Sequence, residues 1–152
     1  MIVYRIAALP FCMDLSGKGA ELYGGRWNNI GNAAIYTSQN ISLALLEILC
    51  HTSFQKLPSN MQIVHIEIPA KIKIKNFGVD ELPTDWNKSP ASIVVKNFGT
   101  QLLQKKEFAA YSFPSAVLPN EINFMLNPQH KLYSNIKIIK TEPLPFDNRL
   151  VK

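Results

Sequence analysis

Apolar and polar residues alternate with period two in "QIVHIEIP" (62–69) and "IKIKNF" (72–77). Alternation turns successive side chains to opposite faces, so both stretches read as strands with one buried face. "IVYRI" (2–6) and "AAIYTS" (33–38) are rich in β-branched and aromatic residues and read as strands too. "SFPSAVLP" (112–119) and "SNIKIIKTEPL" (134–144) complete the set. Two helices are expected. "QNISLALLEILCHTS" (39–53) is apolar almost all round, with Ser38 or Asn40 as N-cap, and should be buried. "SPASIVVKNFGTQLLQKK" (89–106) offers Ser89 as N-cap and Pro90 at the first helical position. Residues 12–32 form a long loop rich in Gly and Asn, and "NEINFMLNP" (120–128) reads as a short helix or turn. The pattern is α+β: one domain over 1–152, with a mixed sheet that helices must cover.

Composition changes this picture little. The 152 residues are 47% hydrophobic and 18% charged, with no repeat or low-complexity tract, which fits a folded chain. A net charge of +5 permits an anionic ligand. No DNA-reading motif or aromatic-interleaved basic stripe accompanies it, so direct nucleic-acid binding is not expected. Cys12 and Cys50 fit no metal or redox spacing and read as reduced thiols; His51, His65 and His130 are scattered, so no metal is expected. The apolar run at the start is too short for a leader and is broken by Pro10 and Asp14; no stretch is long enough to span a bilayer. A cytoplasmic location is the expectation.

Four polar residues stand where the pattern calls for apolar ones or a strand end. Arg5 interrupts the first strand, Arg26 sits in "GGRWNN", Glu47 lies on the apolar helix, and Ser115 follows a Phe-Pro pair. Guanidinium forks suit phosphate, and Gly24 and Gly25 let backbone approach a ligand. The plainer alternative pairs Glu47 with Arg5 or Arg26 as a structural ion pair, because a buried carboxylate without a partner is costly. Tyr36, on the strand after the loop, is either a core residue or a surface on which a planar ring stacks. Ser115 is in no nucleophile elbow, which argues against a serine hydrolase. Capping and turn chemistry accounts for Asn120, Glu121 and Asn123 nearly as well as function does.

Taken in order, "YR" (4–5), "YGGRWNNIG" (23–31), "AIYTS" (34–38), "ALLE" (44–47), "FPSAVLPNEINFMLNPQH" (113–130) and "FDNRL" (146–150) resemble the RES domain family across essentially the whole chain. The resemblance implies an ADP-ribosyltransferase-like fold and the toxin role in a bacterial type II toxin–antitoxin pair. It implies cleavage of the nicotinamide–ribose bond of NAD+, by hydrolysis or phosphorolysis, with NAD+ as substrate and no separate cofactor. It also implies an antitoxin of the Xre helix-turn-helix type and a toxin homodimer within the complex; with no bilayer-spanning stretch in the sequence, no membrane partner is expected. The family's arginines fall on Arg5 and Arg26, its tyrosine on Tyr36, its glutamate on Glu47 and its serine on Ser115.

On this reading Glu47, Arg26, Tyr36 and Ser115 are the catalytic set. Arg5, Arg26, Tyr36, Ser115 and Asn28 bind NAD+. Two alternatives stay open: a protein ADP-ribosyltransferase using the same site, and a non-catalytic module that binds nucleotide or protein.

Overall fold

The computed structural model describes residues 1–145, 147 and 149. Seven strands form one mixed sheet: β1 (Ile2–Ala8), β2 (Ile35–Ser38), β3 (Met61–Glu67), β4 (Ile74–Asn76), β5 (Ala110–Pro114), β6 (Ile122–Leu126) and β7 (Lys137–Pro143). Their order across the sheet is β4-β5-β6-β2-β1-β3-β7. Only β4 and β5 run parallel; the other neighbours are antiparallel. The expected α+β class and mixed sheet are present. Three α-helices accompany it: α1 (Lys18–Tyr23), α2 (Ile41–Leu49) and α3 (Ile93–Lys105).

The join between β1 and β2 decides the architecture. β1 pairs with β3 along its whole length, from Ile2↔Glu67 to Ala8↔Met61. It meets β2 at a single position, Tyr4↔Ser38. Beyond that pair the strands part, so the sheet is two halves hinged at one rung. On one face Val3, Val64, Ile66, Phe124 and Leu126 form a common core across both halves. On the other face the halves are covered separately. Ala44 of α2 packs on Ile6, Met61 and Ile63. Val95 and Leu103 of α3 pack with Trp27, Tyr111, Phe113 and Met125.

Several expected boundaries move. α2 is nine residues long, shorter than the expected 39–53, and is capped by Asn40, whose Oδ1 accepts the Leu43 N–H at 2.7 Å. Only Leu43 and Ala44 are buried on it, because it lies on one face of the sheet with its other side open. Ser92, not Ser89, caps α3 through Val95 N–H, and Pro90 precedes the helix. Residues 12–32 are not loop throughout: α1 forms between Gly17 and Gly24, both at positive φ (76° and 73°), the left-handed region glycine tolerates. "NEINFMLNP" is not a helix or turn but carries β6, an inner strand paired on both sides. Of "FDNRL", positions 146, 148 and 150 lie outside the described residues.

The glycine-rich loop is fastened to α3. Asn29 N–H donates to Thr100 Oγ1 at 2.9 Å, and Asn29 Nδ2 donates to Asn97 Oδ1 at 2.7 Å. Trp27 is core rather than ligand surface, stacked on Phe113 with ring centroids 4.2 Å apart. Gly99 exists for this contact: a Cβ there would sit 2.0 Å from the Trp27 carbonyl oxygen. Gly99→Ala is therefore expected to cost about 3 kcal/mol of stability. Urea unfolding checks this; a loss below about 0.5 kcal/mol, the level of a neutral surface change, would contradict the packing.

Candidate active site

A cavity of about 970 Å3 opens where the two halves of the sheet part, at the upper end of the range for small-molecule sites. β1 contributes Tyr4, Arg5 and Ile6, β2 contributes Ile35 to Ser38, and α2 contributes Glu47. Arg5 alternates with Tyr4 and Ile6, yet all three line the same cavity, because the ladder no longer closes the sheet there. The glycine-rich loop and Asn87, Ser89, Pro90 and Ala91 line it as well.

Glu47 pairs with neither arginine. Its Oε1 accepts two hydrogen bonds, from Ser115 Oγ at 2.6 Å and from Asn123 Nδ2 at 2.5 Å. Ser115 Oγ in turn accepts the N–H groups of Val117 and Leu118, each at 3.1 Å. Its one proton and its lone pairs are thus spent, and the residue is fully buried. Asn123 Oδ1 accepts from Ser38 Oγ at 2.7 Å, which fixes the amide with Nδ2 toward Glu47. Glu47 Oε2 has no protein partner among the described residues, and Glu47 lines the cavity. One carboxylate oxygen is anchored; the other remains to accept a bond from a ligand.

Both arginines are held by backbone carbonyls. Arg26 Nη1 donates to Trp86 O at 2.9 Å and to Lys88 O at 2.8 Å. Arg5 Nη1 donates to Asp14 O at 2.7 Å. Burial pulls the Arg5 pKa below its usual value, while nearby Asp14 opposes that shift. Neither guanidinium forms a salt bridge with a carboxylate among the described residues, so each keeps donors for an anion.

Tyr36 is fixed from behind. Its hydroxyl donates to Asn28 Oδ1 at 2.7 Å and accepts the Trp27 N–H at 3.0 Å. Asn28 is fully buried, and its amide donates to the carbonyls of Ala20, Asn29 and Asn32. Gly25 completes the contact, since a Cβ there would lie 2.7 Å from Tyr36 Cε2. The Gly-Asn chemistry of the loop therefore seats Tyr36 as well as Arg26. Thr37, beside it on the cavity wall, carries the one buried side-chain polar atom without a partner among the described residues.

Of the residues singled out in the sequence, Arg5, Arg26, Tyr36 and Glu47 come together around the cavity. Ser115 and Asn28 stand behind it, the first gripping Glu47 and the second Tyr36. Asn123 is a site residue that turn chemistry had seemed to explain. Its signal is positional: β6 sets Asn123 opposite Ser38 on one side and Phe113 on the other.

The fold around this cavity has a counterpart among solved structures. A chain of the Mycobacterium tuberculosis MbcT–MbcA toxin–antitoxin complex superposes with a TM-score of 0.76, over 94% of this chain and 83% of that one, at 17% identity. The RES domain model matches residues 2–147, and the chain belongs to the RES domain family. It is 36% identical to Toxin Res of Photorhabdus laumondii, over 100% of this chain and 98% of that protein. It is also 36% identical to the Prs ADP-ribosylating toxin of a Sphingobium species, over 91% and 88% respectively.

The Tyr36 seat predicts a pH dependence. Burial raises the Tyr36 pKa well above the ordinary tyrosine value. The folded protein keeps this proton where the unfolded chain loses it. Stability from this source is whole below about pH 10 and falls as pH rises further. In Tyr36→Phe that alkaline fall should be shallower by about 1.4 kcal/mol per pH unit. The same variant should lose about 1–3 kcal/mol at neutral pH, because Trp27 N–H and Asn28 Oδ1 are left unmet. Denaturation at stepped pH measures both; parallel curves for the two proteins would refute the buried seat.

Proposed function

We propose that this chain is the toxin of a toxin–antitoxin pair and that it breaks the nicotinamide–ribose bond of NAD+. The observation that carries the chemistry is the Glu47 carboxylate, gripped at Oε1 by Ser115 and Asn123 and free at Oε2, in a cavity shared with two arginines. The toxin role is supported by the names of the RES relatives and of the structural neighbour.

Nicotinamide leaves NAD+ as a neutral molecule, taking the electron pair of the C1′–N1 bond. No strong general acid is needed. The demand falls on the ribose, which becomes oxocarbenium-like as in glycoside cleavage. Glu47 Oε2 accepts a hydrogen bond from the ribose 2′-hydroxyl and stabilises the developing positive charge. Arg5 and Arg26 neutralise the pyrophosphate. The Tyr36 ring, fixed by Asn28 and Trp27, flanks the nicotinamide ribose. An acceptor oxygen then bonds to C1′: water fits that role by releasing a proton to bulk solvent, and phosphate by attacking through an unprotonated oxygen. A protein side chain as acceptor is the second reading, favoured by the ADP-ribosylating name of the Sphingobium relative. We assign the antitoxin to the Xre helix-turn-helix type, with a toxin homodimer in a cytoplasmic complex.

Glu47→Gln is a clean test, because Gln Oε1 still accepts from Ser115 and Asn123 while the charge is gone. NAD+ loss and nicotinamide release should fall by about 100-fold or more, with the melting temperature nearly unchanged. Turnover at the parental rate would sink the mechanism. Turnover that appears only with a protein target present would move the assignment to the transferase.

Ser115→Ala and Asn123→Ala should each lower kcat by about 10- to 100-fold through misplacement of Glu47. Because both act through one carboxylate, the double variant should lose less than the product of the single effects. Independent, multiplicative losses would mean that one of the two touches substrate itself.

A further inference from the structure

Four lysine or arginine side chains line the cavity, Arg5, Lys18, Arg26 and Lys96, against two carboxylates, Asp14 and Glu47. Three of the four cations already have partners. Lys18 is paired with Glu21 at 2.7 Å, and both arginines are tied to carbonyls. Lys96 is different. It is half-buried, and its ammonium has no hydrogen bond or ion pair among the described residues. An ammonium in a ligand-sized cavity with no protein counter-charge is open to an anionic ligand.

Its position is well determined by its helix. Lys96 precedes Thr100 by four residues and Gly99 by three, so it shares their face of α3. Thr100 accepts the Asn29 N–H, and Gly99 lies against Trp27. That face therefore looks onto the loop that carries Arg26. Arg26 in turn reaches the carbonyls of Trp86 and Lys88, which flank Asn87 in the segment that lines the cavity with Asn87, Ser89, Pro90 and Ala91. Loop, connecting segment and helix all contribute to the cavity lining, and with them come two cations, Arg26 and Lys96.

We propose that Lys96 is a further binding residue of this cavity and takes a phosphate group beside Arg26. The role rests on the NAD+ reading above and deepens it. The phosphate has two sources: the pyrophosphate of the dinucleotide, or free inorganic phosphate acting as the acceptor that attacks C1′. Lys96 does not touch the reacting carbon in the first case and orients the attacking oxygen in the second.

The test uses the full chain with Lys96→Gln and Lys96→Arg. Initial rates are measured against NAD+ without phosphate, then against phosphate at saturating NAD+, and calorimetry follows ADP binding. Loss of one charged hydrogen bond predicts a rise of about tenfold in one KM, with kcat for the other arm within about twofold. Lys96→Arg should restore most of the loss. A raised KM for NAD+ with weakened ADP binding identifies the pyrophosphate. A raised KM for phosphate alone identifies the acceptor. Parental KM values and ADP affinity in Lys96→Gln, with active wild-type protein, overturn the Lys96 role and leave the NAD+ reading intact. Wild-type protein that binds ADP through Lys96 but consumes no NAD+ overturns the reaction and keeps the site. Wild-type protein that does neither overturns both.

Discussion

A seven-stranded sheet that met edge to edge along every strand would have no room for a ligand between its strands. Here the β1–β2 ladder stops after Tyr4↔Ser38, and the remainder of the molecule follows from that stop. The backs of both halves share one apolar core, which keeps them from separating entirely. Their fronts take different helices, α2 on one and α3 on the other. The gap between those covers is the cavity. Polar side chains on β1 and β2 reach it because the strand edges have parted, and this is how Arg5, from the face opposite Tyr4, comes to share a wall with it.

Such a gap sets a second demand. Side chains at its margin are partly out of water and must be held without the help of a closed ladder. Buried polar groups meet this with complete hydrogen bonding. Asn28 spends its amide on three carbonyls and its oxygen on Tyr36. Ser115 spends its proton on Glu47 and accepts two backbone N–H groups. Glu121 takes the amides of Gln39 and Asn40 and so ties the start of α2 to the start of β6. In the first two cases a short polar residue fixes a longer one that faces the cavity. Among the described residues Glu47, with its second oxygen, Lys96, with its ammonium, and Thr37, with its hydroxyl, stand apart from this rule.

Strands with clear alternation were legible in the sequence, because one buried face leaves period two in the chain itself. β3 shows it plainly. β6 did not, since "INFML" is short and its state depends on β5 and β2, which pair with it across the sheet. The ends of α3 shifted for a local reason: Ser92 and Ser89 are both competent caps, and only the packing of Val95 and Gly99 chooses between them. At the site, residue type announced Arg5, Arg26, Tyr36 and Glu47, because a charged or phenolic group in an apolar pattern needs a reason. Depth was not announced. Whether Ser115 faces a ligand or stands behind Glu47 depends on where the turn after β5 places two backbone N–H groups, and spacing does not carry that information.

The position of Ser115 also reassigns effort within the site. A serine facing the ligand would add one neutral hydrogen bond to substrate, equal in ground and transition states unless charge develops beside it. A serine behind the carboxylate acts only through Glu47, and in the proposed cleavage positive charge develops on the ribose beside that carboxylate. Two donors on Oε1 restrict rotation of the carboxylate and leave Oε2 at one place on the cavity wall. Preorganisation of this kind spends its free energy on folding, before substrate arrives, and nothing has to reorient as the bond breaks. The same two donors draw charge toward Oε1, so they trade some of Oε2's basicity for position. In the proposed reaction that trade is tolerated, because Glu47 acts through its charge on a neighbouring cation and nicotinamide leaves without needing a proton from it.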